Sequence, residues 1–499
     1  MKTIKIYSSL LLTLLILSSC TKDVIEVSST TQISAETFFQ TESDAQLAIT
    51  GVYSSLGDFA SQLLYLDAVA DNAYNNYPWE GYKAIALGTH DVWGPWAIGA
   101  YWNMLFKGIG RANVVLANID DIEMDATAKS TIKGEALFLR AYFYLNLADL
   151  YGGVPIITEA PSLEHGLLPR NTKAEVMSQI VLDLDAAATA LPPTAGPGRA
   201  NSNAALALKT RTLLYNEQWA EAASAASQVM GKYSLYPDYR ALFMIENENN
   251  QEVIFDAQFI SPEQGHHYDT YFGPSGAGGW SSIMPLPELV NDYHMTDGLP
   301  TSTSPLYDAG NPYDNRDPRL KQTIFVPGTI VNGIPFEDLT TFTGFAFKKY
   351  TPLDEDFVIT PAPYSALSGL NVILLRYADI LLMYAEAKNE DSGPDQSVLD
   401  AINEVRSRAS VMMPDIASGL SQAEMREVIR HERRVEFPAE GTRYSDIRRW
   451  KTAESLMNGL VDPGGTRVFN AGRDYLWPIP GGEFDLPDTA LTQNPNYGN

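Results

Sequence analysis

Apolar residues recur with a helical period over most of the chain, and this periodicity restricts the fold more than any other feature of the sequence. The longest amphipathic run covers residues 126–151 and stops at Gly152-Gly153. Another run begins after Ser43, a helix-capping residue type, and covers residues 44–56 with Gly57 at its end. Further runs cover residues 172–191, 202–216, 218–231, 374–389 and 397–410. The sequence therefore predicts a mostly α protein.

Two pairs of these predicted helices have the spacing of tetratricopeptide-type units. In the pair at 202–231, the second helix carries a stripe of Trp219, Ala222 and Ala226. This stripe alternates large and small side chains, which lets two helices approach closely. The pair at 374–410 repeats the form about 170 residues later. We predict a helical scaffold built from such pairs and not an extended solenoid, because two or three pairs are too few for one.

The first twenty residues have the layout of a secretory signal peptide. Lys2 and Lys5 provide the positive charge, and the apolar run at 10–17 is too short to span a bilayer. Cys20 closes this segment and is the only cysteine in the chain, so it cannot form an internal disulfide. We predict that Cys20 ends a lipobox and is lipidated with a diacyl anchor. The alternative is a free cysteine within an ordinary cleaved signal.

The charge balance restricts the possible partners. The chain has 35 basic and 61 acidic residues and a formal net charge of −26. Nucleic acid is therefore an unsuitable partner, because phosphate neutralisation needs clustered lysine and arginine. No run after the signal is long and apolar enough for a transmembrane helix. We predict a protein that is anchored to a membrane and does not span it.

Three long segments rich in glycine, proline and aromatic residues separate the helical blocks, and insertions of this length are usually functional loops. A strand-like run at 252–259 lies at the edge of one of them, so we expect a few short strands. The predicted organisation is a signal peptide at 1–19, a lipid-anchored tether at 20–37, and a single domain at 38–499 with loop insertions near 71–100, 261–318 and 327–368.

The window 71–102 is the most informative of these loops. Eight of its 32 residues are aromatic, 25% against 11% for the whole chain, and four of the eight tryptophans lie there. Aromatic rings on a partly wet surface can stack on the apolar face of a sugar ring, and amides and carboxylates pair with its hydroxyls. The candidate ligand-binding residues here are Asp71, Asn72, Asn75, Trp79, Tyr82, Trp93 and Trp96. The alternative is that these rings pack the loop onto the scaffold, which we expect for Tyr101 and Trp102.

A second aromatic and glycine-rich stretch lies at 266–280, where glycines let the backbone approach a ligand closely. Tyr271 and Trp280 are its candidate ligand-binding residues. The adjacent pair His266-His267 is a poor metal site, because neighbouring residues rarely bind one ion together. A structural calcium near Asp314 and Asp317 remains possible, although the chain has no EF-hand loop. We therefore predict no cofactor and no other metal.

Several stretches in a fixed order resemble the SusD/RagB family of outer-membrane nutrient-binding lipoproteins. They include GEALFLRAYFYLNLADLYGGVP at 134–155, RYADILLMYAEAKN at 376–389 and ERRVEFPAEGTRYSDIRRW at 432–450. Shorter matches at 37–39, 45–56, 169–170, 172, 199–215, 219–237, 401–409, 475–480 and 491–495 extend the resemblance over nearly the whole chain.

The resemblance implies a function and a partner. It implies a non-catalytic lipoprotein that faces the cell exterior on the outer membrane and captures a glycan. It also implies a SusC-like, TonB-dependent transporter as partner, over which the lipoprotein lies as a lid. Capture of peptides by the same arrangement is the alternative, but the window 71–102 carries only four charged residues, which favours neutral sugars. A structural or adhesive surface protein is a third possibility and would lack a concave aromatic site.

An enzymatic function has little support in the sequence. A glycoside hydrolase needs two carboxylates that face one bond across roughly 5–10 Å. Glu432 and Glu436 share one helical face, but arginines surround them in the sequence, at 433, 434, 443, 448 and 449. We therefore expect these glutamates to form ion pairs within a structural helix. No nucleophile, phosphate-loop or zinc-protease motif is present in the sequence.

Overall fold

The computed structural model describes residues 38–331, 333–354 and 367–498, and most of its regular structure is helical. The predicted signal peptide, Cys20 and the tether lie outside the described residues. The helices are α1 (Glu42–Leu63), α2 (Lys83–Ala86), α3 (Trp96–Asn118), α4 (Ala126–Tyr151), α5 (Lys173–Ala190), α6 (Ser202–Tyr215), α7 (Trp219–Ser227), α8 (Tyr268–Phe272), α9 (Pro287–Asp292), α10 (Arg319–Thr323), α11 (Tyr377–Ser392), α12 (Gln396–Arg406), α13 (Gln422–Glu436), α14 (Arg443–Arg449) and α15 (Ala453–Met457).

The described strands form two-stranded antiparallel pairs and no larger sheet. They are β1 (Ala73–Asn75), β2 (Val253–Ala257), β3 (Ile283–Pro285), β4 (Ile324–Phe325), β5 (Ile330–Val331), β6 (Ile334–Pro335), β7 (Ala346–Phe347), β8 (Val372–Arg376), β9 (Val461–Asp462) and β10 (Gly465–Thr466). The pairs are β1 with β3, β2 with β8, β4 with β7, β5 with β6, and β9 with β10.

The long helices pack side by side around one large core. Helix α4 packs against α3 and α5, and α6 packs against α5 and α7. Helix α11 then contacts α7, α12 and α13, so that the two predicted helix pairs, α6–α7 and α11–α12, contact each other. The predicted helical scaffold with a few short strands is therefore confirmed.

Local signals define α4 as the sequence predicts. The Asp125 carboxylate accepts hydrogen bonds from the backbone N–H groups of Thr127 and Ala128, so it caps the first turn. The chain leaves the helix at Gly152, whose φ of 78° suits a residue without a Cβ. Between these caps, the apolar face is buried in the core from Ile132 to Tyr151.

Several predicted helix boundaries are wrong. The predicted helices at 218–231 and 397–410 end earlier, at Ser227 and Arg406. Helix α1 begins at Glu42 behind a capping box of Thr41 and Asp44, and it continues through Gly57 to Leu63. Gly57 lies within the helix, and its lack of a side chain leaves room for Gln264. A Cβ atom added to Gly57 would lie 3.0 Å from the Gln264 amide nitrogen. The predicted helix at 374–389 begins only at Tyr377, because the preceding residues pair with β2 as strand β8.

Candidate functional site

Strands β1 and β3 bring the two aromatic loops together. Tyr74 pairs with Met284 and Asn75 pairs with Ile283, so the window 71–102 lies beside the segment that follows Trp280. The Tyr77 hydroxyl also donates to the Trp280 carbonyl oxygen at 3.3 Å. This pairing joins segments about 200 residues apart and positions their side chains around one cavity.

The cavity between these loops has a volume of about 240 Å³ and is called the aromatic cavity below. Its aromatic lining residues are Tyr65, Trp79, Tyr82, Trp96 and Tyr271. The other lining residues are Ser61, Gln62, Glu80, Gly265, His266, His267 and Leu367. Among these described residues there is no lysine or arginine, so the wall has no fixed positive charge that would attract an anion.

Two tryptophans give the aromatic cavity its exposed apolar surface. Trp79 is 67% exposed and Trp96 is 48% exposed. The Trp96 indole Nε1–H donates to the Trp79 carbonyl oxygen at 2.7 Å, and the Trp79 ring stacks on Tyr77 with centroids 4.6 Å apart. These contacts fix both indoles before a ligand arrives, which lowers the entropy lost on binding.

Tyr271 is the centre of a second group of stacked rings. Its ring lies within 30° of parallel to Tyr65, Trp280 and His267, with centroid distances of 5.2, 5.3 and 5.7 Å. Tyr271 and His267 line the cavity, whereas Trp280 lies behind Tyr271 and supports it. The cavity wall therefore presents rigid aromatic surface from both loops.

Polar groups in the wall supply hydrogen bonds. Among the described residues, the buried Nδ1 of His267 has no hydrogen-bond partner. An unpaired buried polar atom costs free energy unless a ligand or water bonds to it. The Tyr82 hydroxyl, by contrast, bonds to Gln62 and Tyr101. Glu80 Oε1 is likewise buried without a partner among the described residues, so His267 and Glu80 are the polar groups of this wall with unused hydrogen-bonding capacity.

Glu80 is the titratable carboxyl group in the wall. Burial raises the pKa of Glu80 to about 7, although a hydrogen bond from Asn75 opposes this shift. Near neutral pH this side chain exists in both protonation states, so it can donate to a sugar hydroxyl or accept from one.

We expect replacement of Glu80 by glutamine to change how stability depends on pH. In the folded protein this carboxyl group binds its proton more tightly than in the unfolded chain, because its pKa is raised. The wild-type free energy of unfolding should therefore fall relative to Glu80→Gln as pH rises from about 4.5 to about 7, by up to about 3 kcal/mol. Urea denaturation of both proteins at pH 5 and pH 8 measures this difference. An equal difference at the two pH values would contradict the raised pKa.

The other candidate ligand-binding residues of the window 71–102 lie outside the aromatic cavity. Asp71 is buried, with its carboxylate 2.8 Å from Arg443 and 3.0 Å from Arg434. Burial acts to raise the pKa of Asp71, but these two guanidinium groups outweigh burial and hold it well below its usual range. Asn72 is also buried, and its amide nitrogen donates to Asp67. Neither side chain reaches the aromatic cavity.

Asn75 and Trp93 also fall outside the cavity lining. The buried Asn75 amide donates to Glu80 and to the Ser282 carbonyl oxygen, so it supports the wall from behind. Trp93 is as exposed as Trp79, at 67%. Its ring lies over Gly481, so close that a Cβ atom added to this glycine would be 2.7 Å from the ring. Tyr101 and Trp102 are buried in the core, as expected.

Sequence reasoning missed several lining residues. Gln62 lies at the end of α1, and Tyr65 lies in the 3₁₀ turn that follows it. Both residues lie between the predicted helix at 44–56 and the predicted loop at 71–100, so the sequence gave no indication of a binding surface there. Glu80 was visible in the aromatic loop but only as one of its few charges. The sequence suggests His267 only as a metal ligand, because its place beside Tyr271 depends on the tertiary fold.

The acidic groups considered for metal binding are in ion pairs. Asp317 contacts Arg319 at 2.7 Å, and Asp314 contacts Lys321 at 2.9 Å. In the part of the chain that the structure describes, no cluster of three or more His, Cys, Asp or Glu side chains is arranged to hold a metal ion. Within the same residues, no helix combines the length and the apolarity needed to cross a membrane.

Glu432 and Glu436 lie in a buried ionic network and are not a catalytic pair facing a cleft. Arg319 contacts both carboxylates, at 2.6 and 2.8 Å, and both glutamates are fully buried. Arg376 and Arg406 provide further contacts, at 2.7 Å each. Both glutamates form ion pairs, but the prediction that the pairs lie within their helix is wrong, because the partners come from other segments and not from the neighbouring arginines of the sequence.

Comparison with known proteins assigns the chain to a family. Residues 241–497 match the sequence profile of the SusD family, and residues 24–214 match a profile described as starch-binding associating with outer membrane. The chain belongs to the SusD family. The predicted SusD/RagB resemblance is therefore confirmed.

Similar proteins cover almost the full length of this SusD-family chain. SusD-like protein P2 of Formosa agariphila is 27% identical over 93% of this chain and 94% of that protein. A solved SusD-like carbohydrate binding protein from Bacteroides fragilis is 30% identical, with a TM-score of 0.82 over 90% of this chain and 99% of that one. A second solved SusD-like protein from Bacteroides fragilis is 26% identical, with a TM-score of 0.81 over 92% of this chain. The family therefore includes carbohydrate-binding proteins and is associated with the outer membrane.

Proposed function

We propose that this protein captures a neutral oligosaccharide or polysaccharide outside the cell and binds it in the aromatic cavity. It remains on the outer membrane through a lipid on Cys20 and passes the glycan to a SusC-like, TonB-dependent transporter. It performs no catalysis. The proposed ligand-binding residues are Trp79, Trp96, Tyr271, Tyr82, Glu80 and His267, with Trp280 and Asn75 supporting the wall.

The observation that carries this proposal is the pair of exposed indoles in a cavity without positive charge. Trp79 and Trp96 present 67% and 48% of their surface while their backbone and ring contacts hold them in place. A fixed aromatic face suits the apolar side of a sugar ring, and uncharged hydroxyls need no cationic partner. The carbohydrate-binding relative from Bacteroides fragilis supports the same ligand class.

The experiment is gel retardation of the full-chain protein in mild detergent against a panel of neutral and acidic polysaccharides. We expect retardation by a neutral polysaccharide and its loss in a Trp79→Ala, Trp96→Ala double variant. Each indole face contributes on the order of 1 kcal/mol, so the double variant should bind about tenfold more weakly or worse.

Trp93→Ala is the matched control, because Trp93 is equally exposed but lies outside the aromatic cavity. This variant should bind like the wild type. Loss of binding in Trp93→Ala alone would place the glycan elsewhere. Absence of retardation across the neutral panel would contradict the proposal and favour peptides as the nutrient.

A further inference from the structure

A second and larger cavity, of about 660 Å³, lies beside helix α13 and is called the basic cavity below. Elements far apart in the sequence form its wall: the end of α9 and the turn after it, the end of α12, α13, and the segment from α14 to Leu456. Its basic lining residues are Arg406, Arg430, Arg434, Arg443, His294 and His431. In the described part of the chain, the two cavities share no lining residue.

Acidic partners hold the guanidinium groups of Arg443, Arg406 and Arg434 in place. Arg443 bonds to the buried Asp71 with two nitrogens, at 2.8 and 2.9 Å. Arg406 contacts the buried Glu432 at 2.7 Å. Neither of these carboxylates lines the cavity, so the guanidinium groups lie between the buried acids and the open space. Arg434 contacts Asp71 and also Asp292, and both Asp292 and Glu427 line the cavity. Of the residues that the structure describes, four arginines and two carboxylates therefore line the wall.

Arg430 has spare hydrogen-bonding capacity. Its Nε is buried and, among the described residues, has no hydrogen-bond partner. Its carboxylate contact is Glu427, one turn earlier on α13 at 3.1 Å, and the Glu427 side chain is 71% exposed. Such an exposed pair holds a guanidinium group only weakly. An acceptor that enters the cavity can therefore bond to Arg430 without disturbing the buried ion pairs.

Two neighbouring histidines, His294 and His431, form part of the wall. Each donates one ring N–H to a backbone carbonyl oxygen, His431 to Asp292 at 2.8 Å and His294 to Gly298 at 3.1 Å. Their rings stack with centroids 3.9 Å apart. Burial and the neighbouring His431 lower the pKa of His294 to about 4. His294 is therefore uncharged at neutral pH, and the arginines supply fixed positive charge to the cavity.

We propose that the basic cavity binds the anionic group of a sugar-sized ligand, a carboxylate or a sulfate ester. A guanidinium group forms paired hydrogen bonds with either oxyanion. The volume lies in the range of small-molecule sites, and the Trp450 ring, which also lines the cavity, packs against the Arg430 guanidinium at 5.0 Å. This site is separate from the aromatic cavity. It binds an anionic ligand, whereas the aromatic cavity binds a neutral glycan.

The test is calorimetric titration of the full-chain protein in mild detergent with glucuronic acid, glucose 6-sulfate, glucose and inorganic sulfate. We expect one or both charged sugars to bind and glucose not to bind at this site. Binding of glucuronic acid alone assigns a carboxylate, and binding of glucose 6-sulfate alone assigns a sulfate ester. Binding of neither, or inorganic sulfate binding as tightly as the sugars, would overturn the proposal.

Two substitutions with opposite expected effects locate the site. Arg430→Gln should weaken binding of the charged sugar about tenfold, and Glu427→Gln should strengthen it several-fold by removing the competing carboxylate. Arg426→Gln is the matched control, because Arg426 lies on the same helix but pairs with Glu390 outside the cavity. Unchanged affinity in Arg430→Gln, with the fold intact by circular dichroism, would overturn the assignment.

Discussion

Replacing Arg376 with methionine is expected to lower the free energy of unfolding by about 3–5 kcal/mol, because it removes one cationic partner from each of three buried carboxylates. The Arg376 guanidinium is 1% exposed. It bonds to Glu252 at 2.9 Å, to Glu436 at 2.7 Å and to Glu440 at 2.7 Å. A loss of this size is a large part of the stability of a typical domain.

The contacts of Arg376 join parts of the chain that are far apart in the sequence. Glu252 precedes β2, Arg376 ends β8, and Glu436 ends α13. Glu436 also bonds to Arg319 and Arg408, so one carboxylate connects three guanidinium groups. Burial acts to raise the pKa of Glu436, but these arginines outweigh it and lower the pKa well below its usual range. The stabilisation is therefore present above about pH 4.5 and is lost on acidification.

Urea denaturation at pH 7 measures the expected loss. Arg376→Lys keeps a positive charge but lacks the planar fork, so we expect an intermediate loss. Lys107→Gln is the surface control, because the Lys107–Asp58 pair is nearly half exposed on both sides, and its removal should cost less than about 1 kcal/mol. A loss in Arg376→Met no larger than in this control would show that the buried network contributes little.

Replacing Cys20 with alanine is expected to remove the protein from the outer membrane. Cys20 is the only cysteine in the chain and closes the predicted signal peptide. Each buried methylene of an acyl chain contributes about 0.8 kcal/mol, and two chains give stable anchoring where one gives only marginal binding. Metabolic labelling with radioactive palmitate and membrane fractionation measure the result, and Cys20→Ala should lose both the label and the outer-membrane signal.

Ser19→Ala is the control for this experiment, because alanine is also a small residue before the predicted cleavage point. Label that persists in Cys20→Ala would contradict lipidation at this position.

The same membranes allow a test of the proposed transporter partner. Affinity purification of the wild type in mild detergent should recover a TonB-dependent barrel. Absence of this barrel would contradict the proposed transfer of glycan.

The helices show what local sequence can predict. The limits of α4 follow from Asp125, Gly152 and the apolar period between them, and the backbone hydrogen bonds of a helix link residues four apart in the sequence. Residues 374–376 follow the same helical pattern but form the end of β8, because pairing with β2 stabilises an extended chain there. Helical propensity is a weak preference that tertiary contacts override.

The sequence by itself determined the helical scaffold, the family resemblance and the loop that carries Trp79 and Trp96. Only the tertiary structure decided that Trp79 and Trp96 line the aromatic cavity while Trp93 lies over Gly481. It also decided that Asp71 serves a buried ion pair with Arg443, 372 residues away. The physical reason is the range of the interactions. Caps and periodicity act over one or two helical turns, whereas a cavity and an ionic network depend on side chains that only long-range folding brings together.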